Sequence, residues 1–261
     1  MKVLVTNDDG IDAVGLRTLA QVAVDAGLDV TVAAPDGERS GSGAAMSALE
    51  TDGRLQVRRQ VLDGTGPGES GGRGGPGEPI GAFAVRASPA MIVFVAAHGG
   101  FGPVPDIVLS GINQGPNTGR AVLHSGTVGA ALTAEVNGLP AMAVSLASDT
   151  PSHWETAAKV AARAVEWFVP RATVPVAVNL NVPDVPASEL RGFRAARLSA
   201  FGATQVKVGE RGDDFVAVTF SRLETEPEPD SDLALVRQGW ATVTALRGPR
   251  ETSALDVSTL T

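Results

Sequence analysis

The chain begins with MKVLVTNDDGIDAVGLRTLAQVAVDAGLDVTVAAP at residues 1–35, and the pattern of this stretch indicates the fold class. Residues 2–6 form a short apolar run rich in valine, which predicts a strand buried on both faces, as parallel strands are. From Val14 apolar residues recur at helical spacing as far as Gly27, a residue typical of helix C-termini. Residues 29–34 then predict a second strand. The order strand, helix, strand indicates a βαβ unit and therefore a parallel sheet.

The same alternation continues along the chain. It predicts strands at 106–110, 141–145 and 176–180, a helix at 126–136, and a helix that a Ser152/Glu155 capping box opens and that ends near Phe168. Residues 91–97 fit a helix or a strand equally well. We therefore expect an α/β fold, a Rossmann-like three-layer sandwich with a mostly parallel sheet.

Two regions interrupt the alternation. Residues 64–79 (GTGPGESGGRGGPGEP) are of low complexity and predict a mobile loop, for which a surface insertion is a better interpretation than a substrate lid. Beyond Pro186 the chain is richer in charge and in alternating patterns, which suggests a hairpin and a helix. We expect an α/β core at 1–185 and a C-terminal extension at 186–261 that serves as an oligomerisation arm.

Composition excludes several classes of function. The net charge is −8 with 21 Lys and Arg, which argues against binding a nucleic-acid polymer. The absence of cysteine excludes disulfides, a thiolate nucleophile and a cysteine-based zinc site. Neither a signal peptide nor an apolar run of membrane-spanning length is present, so we expect a cytoplasmic protein without a membrane partner.

Polar clusters follow three of the predicted strands, at residues 7–10, 38–41 and 110–113. Because ligands of open α/β sheets bind outside the carboxyl ends of the strands, these clusters should meet in one crevice. The first contains adjacent carboxylates, Asp8 and Asp9, which repel each other unless a cation or a proton lies between them. An isolated Asp pair is more often a helix cap beside a solvated side chain, but here the hydroxyl of Ser40 and the amide of Asn113 complete an all-oxygen set that suits Mg²⁺ or Mn²⁺.

Small residues at 125–127 (SGT) lead directly into the predicted helix at 126–136. The free N–H groups and the positive dipole end of a helix N-terminus form a natural phosphate cradle. The motif alone also fits an ordinary cap, which is the commoner role of Ser and Thr at this position. Gly10, without a Cβ, would let the chain turn tightly enough to direct both carboxylates toward one point.

Four blocks of this sequence resemble the signature blocks of the SurE survival-protein family. They are VTNDDGI at 5–11, APDGERSG at 34–41, SGINQGPNTG at 110–119 and SGTVGAA at 125–131. The resemblance extends over roughly residues 1–185. It implies a divalent-metal-dependent phosphomonoesterase that hydrolyses 5'- and also 3'-nucleoside monophosphates to nucleoside and phosphate through a metal-activated water. Gln114 and the pair Arg120-Ala121 depart from the family pattern, which bears on substrate preference.

The resemblance also implies roles for individual residues. The metal ligands would be Asp8, Asp9, Ser40 and Asn113, holding one Mg²⁺ or Mn²⁺ per subunit. The phosphate site would be lined by Asn7, Ser110, Gly111, Asn117, Ser125, Gly126 and Thr127. The catalytic residues would be Asp8, Asn113, Ser125 and Thr127. The family further implies a homodimer or homotetramer in which the C-terminal hairpin and helix are exchanged.

Two alternatives remain at this point. An aspartyl-phosphate phosphatase would need a second acid two residues after Asp8, where Gly10 stands. A non-catalytic nucleotide or metal sensor on the same core would bind Mn²⁺ without turnover.

Overall fold

A computed structural model describes residues 1–62, 80–200, 204–222 and 226–251. The helices are α1 (Val14–Asp25), α2 (Pro89–Ala97), α3 (Gly126–Val136), α4 (Trp154–Phe168) and α5 (Asp232–Arg237). The strands are β1 (Lys2–Thr6), β2 (Asp29–Pro35), β3 (Glu50–Thr51), β4 (Arg54–Leu55), β5 (Val57–Val61), β6 (Gly81–Val85), β7 (Ile107–Gln114), β8 (Ala141–Leu146), β9 (Ala177–Val182), β10 (Phe193–Ala195), β11 (Thr204–Arg211), β12 (Val216–Arg222) and β13 (Ala241–Leu246). The predicted insertion at 64–79 lies outside the described residues.

The central sheet confirms the predicted α/β sandwich. Within the described ranges it has nine strands in the order β10-β13-β9-β8-β7-β1-β2-β6-β5. The strands from β9 to β6 are mutually parallel, and the antiparallel pairs are β13 with β9 and β5 with β6. Helices α1 and α4 contact each other on one face of the sheet, and α2 and α3 contact each other on the other. The central strands are therefore buried on both faces, which explains their continuous apolar sequences.

Helix α3 lies unusually close to the loop that follows β2, because its first turns are made of small residues. A Cβ at Gly129 would overlap the backbone carbonyl of Gly43, and the backbone N–H of Gly43 donates to the carbonyl of His124 at 3.2 Å. The loop after β2 is thus packed directly against the N-terminal half of α3. This contact brings the side chain of Ser42, in the same loop, to the first residue of α3.

The residues after 186 do not form a separate unit. Strand β13 pairs with β9, and β10 pairs with β13, so both extend the central sheet at one edge. Strands β11 and β12 form a hairpin that is a two-stranded sheet of its own. The predicted C-terminal hairpin and helix are therefore present, but part of the extension completes the core.

Two local predictions have a clear outcome. Residues 91–97 are helical, within α2, whose first turn is capped by the Ser88 side chain. The Ser152/Glu155 capping box is wrong: α4 begins at Trp154, and Asp184 at the end of β9 accepts the backbone N–H groups of Ser152 and His153. The carboxylate of Asp184 thus takes the role that the sequence pattern gave to Glu155.

None of the helices in the described part of the chain is long and apolar enough to cross a membrane.

Candidate active site

A tight turn directly follows β1 and presents the two adjacent carboxylates. The Asn7 side-chain amide donates to the carbonyl of Gly10 at 2.9 Å and accepts the backbone N–H of Gly10 at 3.3 Å. Gly10 has φ +102°, a conformation that favours glycine. Asp8, which is 4% exposed, and the half-buried Asp9 lie inside this turn, at the carboxyl edge of the sheet.

Strand β7 delivers Asn113 to the same edge. The sequence predicts that the strand ends at Ser110, and this is wrong, because β7 continues to Gln114. The strand has one more residue than β8 between its pairs Ser110 with Ala143 and Asn113 with Ser145, which is a bulge. Gly111 has φ +131° within it, and a Cβ there would overlap the carbonyl of Val144. The bulge redirects the end of the strand and so aims Asn113.

The start of α3 meets Asp8 and Asn113. Ser125 caps the helix, because its hydroxyl accepts the backbone N–H of Val128 at 3.1 Å. The hydroxyl of the fully buried Thr127 donates to Oδ1 of Asp8 and lies 3.3 Å from Oδ1 of Asn113. The amide nitrogen of Asn113 donates to the carbonyl of Gly115 at 2.8 Å, which leaves its oxygen directed at Thr127. Asp8, Asn113 and Thr127, which come from three separate elements of the fold, are thus brought into contact.

Asp9 and Ser40 lie on the open side of this group. Both line a cavity of about 440 Å³. Oδ2 of Asp9 accepts the backbone N–H of Gln114 at 3.2 Å, and the Ser40 hydroxyl donates to Oε1 of Glu38 at 2.8 Å. The four predicted ligands therefore form two adjoining pairs, with Asp8 and Asn113 around Thr127, and Asp9 and Ser40 at the cavity.

The electrostatics of the two carboxylates favour a cation. Burial raises the pKa of Asp8 above its ordinary value, although the Thr127 hydroxyl and the N–H groups at the start of α3 lower it. Burial, followed by the negative charge of Asp8, raises the pKa of Asp9 to about 6. A divalent cation between them would remove both penalties.

The set of four predicted ligands also suits a divalent cation in its chemistry. It offers two carboxylates, an amide oxygen and a hydroxyl, which are the ligands that Mg²⁺ and Mn²⁺ prefer. The described residues contain no group of three or more His, Cys, Asp or Glu side chains arranged to hold a metal. The predicted site is consistent with this, because it has only two such residues.

The raised pKa of Asp9 predicts a pH dependence of stability in the metal-free protein. Between about pH 4 and pH 6, Asp9 is protonated in the native state but ionised in the unfolded chain. This carboxyl therefore makes the free energy of unfolding fall as the pH rises through that interval. The melting temperature of Asp9→Asn minus that of wild type should therefore increase from pH 4 to pH 6 and stay constant above pH 6. Melting curves in chelator at each pH measure the difference, and a constant difference across the interval would contradict the raised pKa.

Two further residues of the predicted phosphate site, Ser110 and Asn117, are held within the surrounding structure. Ser110 is fully buried within β7, and its hydroxyl has no hydrogen-bond partner among the described residues. Asn117 is held by its neighbours: its side-chain amide donates to Ser145 at 2.8 Å, and its carbonyl accepts the side-chain amides of Asn179 at 2.8 Å and Asn181 at 2.9 Å. Ser110 is therefore enclosed within the sheet, whereas Asn117 is fixed at the edge of a neighbouring cavity.

The sequence reasoning missed this buried network and one further hydroxyl. The signal for the network was the Asn-Leu-Asn sequence within β9, since asparagine is depleted in strands. The further hydroxyl is that of Ser42, which is buried without a hydrogen-bond partner in the described structure. A Cβ at Gly126 would lie 2.6 Å from this hydroxyl and 2.7 Å from Oδ2 of Asp8, so Ser42 faces the start of α3 beside Asp8.

Comparisons with known proteins identify the family of this chain. The family model described as survival protein SurE matches residues 3–204. A 5'-nucleotidase SurE of Stenotrophomonas maltophilia is 36% identical over 256 residues, which cover 95% of this chain and 90% of that protein. A 5'-nucleotidase SurE of Gloeobacter violaceus is 37% identical over 254 residues, with 95% and 90% coverage. A 5'/3'-nucleotidase SurE of Proteus mirabilis is 36% identical over 251 residues, with 94% and 89% coverage.

A solved structure gives the same answer for the fold. The crystal structure of the SurE protein from Aquifex aeolicus superposes with a TM-score of 0.72 at 25% identity, covering 95% of this chain and 93% of that one. The family model alone spans well over half of the chain, and it contains the turn after β1, the end of β7 and the start of α3. The chain therefore belongs to the SurE family.

Proposed function

We propose that the protein is a 5'-nucleotidase, a phosphoric monoester hydrolase that releases phosphate from nucleoside monophosphates. The observation that carries the proposal is the convergence of Asp8, Asn113 and Thr127 at the N-terminus of α3. A carboxylate set suited to a cation there adjoins a helix start suited to a phosphate. The names of the relatives support the reaction, and none of those relatives is named as a non-catalytic sensor.

We assign the metal-binding role to Asp8, Asp9, Ser40 and Asn113. A bound Mg²⁺ or Mn²⁺, one per subunit, would neutralise phosphate oxygens and increase the acidity of water at the site. The Thr127 hydroxyl orients the Asp8 carboxylate and lies 3.3 Å from Oδ1 of Asn113, and Gln114 holds Asp9 through its backbone N–H. Ser40 would need to exchange its hydrogen bond with Glu38 for the cation.

We assign phosphate binding to the start of α3. The N–H groups at Gly126 and Thr127 face the Asp8 carboxylate in this structure. A phosphate bound beside Asp8 would share these groups, and they and the helix dipole would stabilise negative charge on its oxygens. Ser125 contributes by capping the first turn and thereby fixing those N–H groups in place. Asn7, Ser110, Gly111 and Asn117 would support this arrangement from below, since the side chains of Asn7 and Asn117 are used in the turn after β1 and in the β9 network.

We also propose activity on 3'-monophosphates and assembly into a homo-oligomer. Activity on 3'-monophosphates is supported by the relative named as a 5'/3'-nucleotidase. A homodimer or homotetramer formed through the β11–β12 hairpin is supported by its exposed Val208, Val216 and Val218. The cytoplasmic location and the absence of a nucleic-acid partner stay predictions from the sequence.

A release assay tests the function directly. Purified protein should liberate phosphate from 5'-AMP and 5'-GMP, lose this activity in excess chelator, and regain it when Mn²⁺ or Mg²⁺ is resupplied. A parallel series with 3'-AMP measures the second specificity. Binding of Mn²⁺ without phosphate release from any nucleotide would instead favour the sensor, and release that chelator leaves unchanged would contradict the metal assignment.

A further inference from the structure

The cavity that reaches Asp9 and Ser40 has two chemically different walls. One wall is polar and consists of Asp9, Glu38, Ser40 and Gln114. The other is mostly apolar and consists of Ala13, Val14, Gly15, Pro151 and Trp154. Its volume of about 440 Å³ lies within the range of small-molecule sites. A nucleoside has the same division, with a hydroxyl-rich ribose on one side and a flat aromatic base on the other.

Trp154 is well placed to be a rigid aromatic wall. It is the first residue of α4, it is half-buried, and it packs against the main core. A Cβ at Gly15 would lie only 3.1 Å from Cζ3 of the indole ring, so α1 holds the ring in place. An aromatic side chain that is already ordered loses little entropy when a base stacks on it.

Trp154 also differs from the other two tryptophans. Arg171 lies 5.3 Å from the ring centre of Trp167, and Arg191 and Arg194 lie 4.8 and 5.1 Å from that of Trp240. In the described ranges, no guanidinium lies over the ring of Trp154. Its ring is therefore not occupied by a cation–π partner.

A second cavity on the opposite side of Gln114 is the competing location. It measures about 530 Å³, and its lining includes Asn113 and Asn117 of the candidate site together with Asp149, Asp184 and Arg237. No aromatic residue contributes to its lining. The guanidinium of Arg237 could stack on a base, but this side chain is exposed and would lose conformational freedom on binding, whereas Trp154 is already held in place.

We propose that the nucleobase of the substrate binds against Trp154, with the ribose directed along the polar wall formed by Glu38 and Gln114. This inference rests on the proposed nucleotidase function, and it makes the substrate class a phosphomonoester with an aromatic base. Stacking of a base on an aromatic side chain contributes about 1–3 kcal/mol, which is roughly a 5- to 150-fold effect on affinity. The base is recognised by its flat surface, so purine monophosphates should bind more tightly than pyrimidine ones.

Tryptophan fluorescence tests the binding step without turnover. The chain has three tryptophans and no tyrosine, so the emission comes from tryptophan alone. Titration of the full chain with adenosine should quench it saturably, Trp154→Phe should lose the change in tryptophan emission, and Trp167→Phe should retain it. An undiminished change in Trp154→Phe would overturn the proposal.

Kinetics with two substrates test the same residue during catalysis. Trp154→Leu should raise KM for 5'-AMP by about tenfold and leave KM for glycerol 2-phosphate, which has no base, within twofold. Trp154→Phe should recover most of the affinity, and Arg237→Ala in the second cavity should change neither KM. A selective rise in KM for 5'-AMP in Arg237→Ala and not in Trp154→Leu would place the base in the other cavity. Failure of wild type to hydrolyse any nucleotide would refute the proposed function, whereas equal effects on both substrates would refute only the base site.

Discussion

Replacing Asp8 with Asn should reduce Mn²⁺-dependent phosphate release from 5'-AMP by about 10³-fold and leave the fold intact. The reason lies in the surroundings of this carboxylate. It is buried, it faces Thr127 and the start of α3, and it adjoins Asp9, so it is where a cation and a phosphate would meet. Asparagine has nearly the same shape and still offers an oxygen to the Thr127 hydroxyl, but it brings no negative charge to a metal.

Stability should not account for the loss. Burial already raises the pKa of Asp8, so its ionised form is disfavoured in the metal-free protein and a neutral amide should be tolerated at least as well. Asp12→Asn is the matched control, because it removes the same charge four residues later from an exposed side chain. Melting temperature and calorimetric Mn²⁺ titration should accompany the assay. Wild-type turnover by Asp8→Asn, in chelator-treated buffer resupplied with Mn²⁺, would refute the metal assignment.

The parts of the site that could be predicted are those in which local sequence and fold class suffice. Asp8 and Asp9 follow a strand that is recognisable from its own composition, and the loop at a strand's carboxyl end has a known place in an α/β sheet. The same holds for Ser125, where a small polar residue precedes a helical pattern. For these residues, position along the chain nearly determines position in space.

The parts that could not be predicted depend on long-range packing. The pattern at Ser110-Gly111 indicates the end of a strand, because glycine is a common stop, but the bulge opposite β8 lets β7 continue to Gln114. Which strand pairs with β9 is likewise invisible in the local sequence, so the position of β13 in the core was missed. Side-chain direction is a further case: nothing in the sequence shows that Ser42 turns inward toward Asp8.

The Ser152/Glu155 pattern shows why a local rule can fail where the rest of the prediction holds. A capping box is worth about 1 kcal/mol, and a carboxylate from another element can satisfy the same N–H groups equally well. Asp184 does so from the end of β9, with its oxygens 2.8 Å from the N–H nitrogen of His153 and 3.1 Å from that of Ser152. Burial tends to raise the pKa of Asp184, but the hydrogen bonds from His153 and Ser152 together outweigh it, so the pKa is lowered. Tertiary structure therefore decided the helix start.

A second large effect is expected for Gly126→Ala, because this glycine is required by packing. It has an ordinary helical position at the start of α3, where alanine is intrinsically the better helix former by up to about 1 kcal/mol. The added Cβ, however, would lie 2.6 Å from the hydroxyl of Ser42 and 2.7 Å from both Cβ and Oδ2 of Asp8. Either α3 must retreat or Asp8 must turn away from Thr127.

Both responses would separate Asp8 from the start of α3, to which we assign metal binding and phosphate binding. A displacement of about 1 Å in an active site commonly costs about 10²-fold in rate, so kcat/KM for 5'-AMP should fall by at least that factor in Gly126→Ala. Gly37→Ala is the control, since a Cβ at Gly37 would meet no atom within 4 Å. Because alanine favours the helix, a melting temperature close to wild type together with lost activity would locate the defect in the site itself. Activity within threefold of wild type would show that α3 need not approach Asp8 this closely during catalysis.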